Sequence, residues 1–87
     1  MDSKLKANII RELIRSSATL DSIDSKLRTQ GEELSPRRKY VRDLSESAVE
    51  LASIATDLKE PSFDFMSAYY VFIREYGNLY TLVYRDL

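Results

Sequence analysis

Apolar residues recur through the first third of the chain at alternating three- and four-residue intervals: Leu5, Ile9, Leu13, Leu20, Ile23 and Leu27, with Ser16 in register. That rhythm puts them on one face of an α-helix from about Ser3 to Thr29. Gly31 supplies the stop, and Glu32, Glu33 and Leu34 belong to a connection of about six residues. Ser35-Pro36 then starts a second helix, because serine caps free N–H groups and proline at the first helical position has no donor to lose. This helix is expected over residues 36–59. Its apolar face is Tyr40, Val41, Leu44, Ala48, Leu51, Ala55 and Leu58, with alanines that allow close approach by a neighbouring helix.

Glu60-Pro61-Ser62 marks a second break, since proline disfavours helical geometry in the residue before it. The segment beyond has two readings. Its aromatic and β-branched residues around Gly77-Asn78 suit a β-hairpin. However, Asp64, Ser67, Arg74, Glu75, Asn78, Thr81, Arg85 and Asp86 fall within an arc of about 140° at helical period and show no odd–even preference. A third helix over residues 63–85, running through Gly77, is therefore expected. Three segments of matching length with short connections give an all-α, antiparallel, up-down-up three-helix bundle over residues 1–87. The main rival is a helical hairpin that dimerises, with the third helix completing a four- or six-helix assembly; separately, periodicity leaves open whether Pro61 separates two antiparallel helices or kinks one long helix into an extended dimer.

Eight of the nine aromatic residues stand in the last segment. Tyr69, Tyr76 and Tyr80 lie near the middle of its apolar arc and are expected to pack between the first two helices, their hydroxyls reaching the edge. Val71 and Leu82 fall inside the polar arc, and Phe63 and Tyr70 lie at its margin. These four are candidate partner contacts. On the first helix, Ala7, Ile10, Ile14 and Ala18 form a second apolar set off the main seam; it either widens contact with the third helix or meets another chain.

Composition narrows the function. Thirteen basic and fourteen acidic residues leave a net charge of −1, so nothing draws the whole chain to nucleic acid or to an anionic membrane. Cysteine and histidine are absent, which removes disulfides, thiolate metal sites and the usual general base and metal ligand. No catalytic residue, cofactor or metal is implied. No window of about 18 apolar residues exists to span a membrane, and the charged N-terminal segment lacks the core of a secretory signal, so a cytoplasmic protein is expected.

Local charge is uneven. Lys4, Arg11, Arg15 and Lys26 form a basic stripe on the first helix, and Asp43, Glu46, Glu50 and Asp57 form an acidic stripe on the second. Either is an ordinary solvated face or a means of orienting a charged partner. Arg37, Arg38, Lys39 and Arg42 crowd the start of the second helix, where free N–H groups favour anions. Acidic residues flank that cluster, and no glycine-rich loop accompanies it. The function expected is a non-catalytic protein-interaction module of adaptor, assembly-factor or inhibitor type, acting on another protein or on itself as a homodimer. The contacts expected are Phe63, Tyr70, Val71, Leu82, Ile10 and Ile14. The alternative is a small nucleic-acid-associated regulator using the basic cluster together with Lys4, Arg11 and Arg15.

Overall fold

The computed structural model describes residues 3–60 and 62–86, and the side-chain surroundings of residues 4–60 and 62–81. It consists of three α-helices: α1 (Ser3–Thr29), α2 (Pro36–Asp57) and α3 (Phe63–Asp86), packed as an elongated bundle of 44 × 18 × 18 Å. Residues 69–84 are helical throughout, so the hairpin reading of that segment does not hold. The second helix is shorter than expected, ending at Asp57, with Leu58 in extended geometry as its cap. Pro61 lies outside the described residues, but α2 and α3 are separate elements.

Each boundary has a local cause. Gly31 adopts φ +83°, the only positive φ among the described residues. Around it, Gly31 N–H donates to the Arg28 carbonyl at 3.0 Å and Glu32 N–H to the Leu27 carbonyl at 2.9 Å, the paired bonds of a glycine-terminated helix. The Ser35 hydroxyl accepts from Arg38 N–H at 3.1 Å at the start of α2, and Ser62 does the same for Phe65 N–H at 3.1 Å at the start of α3. α2 has no basic residue in its last turn. Lys6 of α1 supplies the charge instead, its Nζ donating to the carbonyls of Leu58 at 2.6 Å and Thr56 at 3.0 Å.

The core runs the length of the bundle: Ile9, Leu13, Leu20, Ile23 and Leu27 from α1; Val41, Leu44, Ala48, Leu51 and Ala55 from α2; Phe65, Phe72 and Leu79 from α3. Ser16 is buried among them with its hydroxyl donating to the Glu12 carbonyl at 2.8 Å, so its polar atom is satisfied within its own helix. Leu5 and Tyr40, expected in the core, are 44% and 41% exposed; both sit near helix ends where the neighbouring helix covers less. On α3 the buried line is Phe65, Phe72 and Leu79. Tyr69 and Tyr76 are only half-buried beside it and Tyr80 is exposed, so the tyrosines are a flank and not the centre of the apolar face.

Small residues, Ser17 facing Ser45 at 3.3 Å and the alanines of α2, let α1 and α2 approach closely. α3 carries stacked aromatic pairs along its length: Phe65 with Tyr69 at 6.2 Å and Phe72 with Tyr76 at 5.9 Å between ring centres. α3 approaches α2 more closely than it approaches α1.

Candidate functional site

On the α2/α3 seam Ser67 and Ala68 of α3 stand across from Ser47 of α2, and these short side chains do not fill the space between the two helices. The result is an open groove of about 500 Å³ on the side of the bundle away from α1. Leu44, Leu51 and Phe72 form its floor, and Ile54 and Val71 form its walls. Ile54 and Val71 remain 42% and 47% exposed, so the groove presents apolar surface to solvent in place of a sealed core.

Its rim is acidic. Glu50 of α2 and Glu75 of α3 line the groove on opposite sides. Tyr40 donates its hydroxyl to Glu75 Oε2 at 2.7 Å, holding that carboxylate in place between the helices. The same bond pushes the Tyr40 phenol above its ordinary range, with burial adding to the effect. Asp43, Asp57 and Asp64 are exposed on the same two helices, as are the cations Lys39, Arg42 and Arg74, so the carboxylates that line the groove itself are Glu50 and Glu75.

The residues expected to bind a partner are not one patch. Val71 lines the groove. Phe63 and Tyr70, 85% and 63% exposed, point outward from α3. Ile10 and Ile14 do not widen the contact with α3: Ile14 lies with Ala18 in a shallow depression between α1 and α2, across from Val49 and Ala52. Ile10 is half-buried against the core. The Leu82 side chain lies outside the described residues. The sequence reading placed Ser67 and Glu75 on the polar arc of the third helix but singled out neither Ile54 nor Ala68, and named none of the four as lining a groove; the adjacent small residues Ser67 and Ala68, one turn before Val71, were the visible signal.

The basic cluster at the start of α2 is drawn inward. Arg37 pairs with Glu32 through two bonds, at 2.5 and 3.2 Å, and holds that carboxyl below the usual carboxylate range. Arg38 Nε donates to Asp24 at 2.7 Å and its Nη1 to the Glu33 carbonyl at 2.7 Å, with the Arg38 and Asp24 side chains only 14% and 19% exposed. Two of the four cations thus staple the α1–α2 connection, leaving Lys39 and Arg42 at the surface. The basic stripe of α1, Lys4, Arg11 and Arg15, is exposed.

Among the described residues, no group of three acidic side chains is placed to hold a metal ion, and no helix is long and apolar enough to cross a membrane. No protein-family model matches this chain, and neither a curated protein nor a solved structure matches it.

Proposed function

We propose that this chain is a non-catalytic, cytoplasmic protein-interaction module whose α2/α3 groove receives an amphipathic, basic helix from a partner protein. The observation that carries this reading is the groove itself: an open, largely apolar depression between two helices, with one carboxylate from each, Glu50 and Glu75, along its lining. A helix laid along such a channel buries one apolar stripe against Ile54, Leu51, Val71 and Phe72, while lysines flanking that stripe meet Glu50 and Glu75. The apolar stripe supplies most of the affinity and the rim charges select the partner's sign.

The test is a fluorescence-anisotropy titration with two labelled model helices of about 15 residues, long enough to fold on docking. Both carry the same leucine stripe; one is flanked by lysines and the other by glutamates. The lysine peptide should bind with a Kd in the micromolar range and the glutamate peptide at least tenfold more weakly. Val71→Asp, at a position 47% exposed on the groove wall, should reduce binding of the lysine peptide by at least about tenfold, because a carboxylate in an apolar contact costs more than about 1.4 kcal/mol; circular dichroism checks that the variant is folded. Equal binding of the two peptides, or indifference to Val71→Asp, would contradict the proposal.

A further inference from the structure

Three carboxylates among the described residues are half-buried: Asp24, Glu32 and Glu75. Two of them are matched by a cation within the bundle, Asp24 by Arg38 at 2.7 Å and Glu32 by Arg37 at 2.5 Å. The third is not. Glu75 accepts the Tyr40 hydroxyl at 2.7 Å, and no lysine or arginine among the described residues is paired with it. A phenol fills one of a carboxylate's several acceptor positions and leaves its charge uncancelled. The charge of Glu75 stays unmatched in a lining shared with Leu44, Val71 and Phe72, where an unpaired charge costs more than on an open surface.

The Tyr40 bond also fixes where this charge stands. Tyr40, Leu44, Ser47, Leu51 and Ile54 follow one another at four- and three-residue steps, so Tyr40 continues the groove face of α2 by one turn beyond Leu44. Its side chain reaches from α2 to Glu75 on α3 and bridges the two helices at that end of the groove. Glu50 lies farther along α2, roughly 15 Å of helix rise from Tyr40. It is exposed, and nothing among the described residues bonds its carboxylate.

We propose that the two carboxylates of the groove are unequal, and that Glu75, with Tyr40 as its positioning residue, receives the basic side chain of the docked helix. This deepens the reading of the groove as a docking site for a basic helix and rests on it. A carboxylate already held in one orientation loses less side-chain freedom when a cation arrives. A half-buried pair is also screened less by water and salt than an exposed one. Glu75 carries most of the selection for positive charge and Glu50 little of it, and the partner's basic residue lies at the Tyr40 end of the groove.

The test is an anisotropy titration of the lysine-flanked model helix against variants of the full chain, each checked for folding by circular dichroism. Glu75→Gln keeps the shape of the side chain and removes its charge, and should weaken binding by about five- to tenfold. Glu50→Gln should weaken it by less than about twofold. Tyr40→Phe removes the bond but keeps the ring, and should cost about threefold in the wild-type chain and nothing further when Glu75→Gln is already present. A merely structural role for Tyr40 would instead cost the same in both backgrounds. A second model helix, with lysine only in one end turn and a nitroxide beside it, should broaden the resonances of Leu44 more than those of Ile54. Equal losses from Glu75→Gln and Glu50→Gln, a Tyr40→Phe effect that persists beside Glu75→Gln, or stronger broadening at Ile54 overturns this inference and leaves the groove reading standing. A wild-type chain that binds neither the lysine nor the glutamate helix overturns both, so the two failures are told apart.

Discussion

Gly77 offers a sharp test of the third helix. It sits in the interior of α3, exposed, with ordinary negative φ, and a Cβ added there meets nothing within 4 Å. Replacing it with alanine therefore removes only the entropic cost of glycine in a helix, about 0.8–1 kcal/mol, and adds no clash. For a domain of this size that gain raises Tm by about 4–8 °C. In urea, followed by far-ultraviolet circular dichroism at fixed protein concentration, it raises the midpoint by about 0.5–1 M at an m-value of 1–2 kcal/mol/M. Gly31 is the internal control. A Cβ there also meets open space, but φ is +83°, so Gly31→Ala should destabilise by about 1 kcal/mol from backbone strain alone. The same substitution thus acts with opposite sign at two equally uncrowded positions. If Gly77→Ala were neutral or destabilising, Gly77 would not be in a helix interior, and a Gly-Asn hairpin turn requiring a left-handed glycine would return as the better account of the segment.

Two further outcomes follow from contacts within the bundle. Lys6→Met keeps the aliphatic stem but removes the ammonium that the Thr56 and Leu58 carbonyls accept from, and should lower stability by about 1 kcal/mol in urea unfolding; an unchanged midpoint would remove Lys6 as the cap of α2. Tyr40 and Tyr69 both have phenols raised above the ordinary value, Tyr40 chiefly by its bond to Glu75 and Tyr69 chiefly by burial. A raised phenol pKa favours the folded state fully below the unfolded value of about 10, and that contribution is lost as pH rises through the folded values. Stability measured between about pH 8 and 11 should therefore fall toward the alkaline end, and Tyr40→Phe should make the fall shallower.

The three helices were legible in the sequence because each boundary rests on local chemistry: Gly31, Ser35-Pro36 and Ser62 act through their own backbone and side chains, whatever packs nearby. The third helix was legible because its polar residues keep helical period through Gly77, despite a composition that suits strands. What the pattern did not show was which flank of each helix faces which neighbour. Ile14 and Val71 were both visible as surplus apolar residues. Only the assembled bundle separates them, one onto the α1/α2 face and the other into the α2/α3 groove. The groove was illegible because it is a property of pairs: Ser67 and Ala68 leave space only because Ser47 stands opposite. Arg37 and Arg38 read as an exposed anion site because their acceptors, Glu32, Asp24 and the Glu33 carbonyl, come into reach only when the α1–α2 connection closes.

The most direct measurement of the central claim is the chemical-shift map of the isotope-labelled chain titrated with the lysine-flanked helix. The resonances of Leu51, Ile54, Ala68, Val71 and Phe72 should move together and saturate with one affinity, while those of Ile14, Ala18 and Val49 on the opposite flank of α2 stay in place. Perturbations confined to Phe63 and Tyr70, or scattered over the acidic residues of both flanks, would contradict the proposal that the α2/α3 groove receives a basic amphipathic helix.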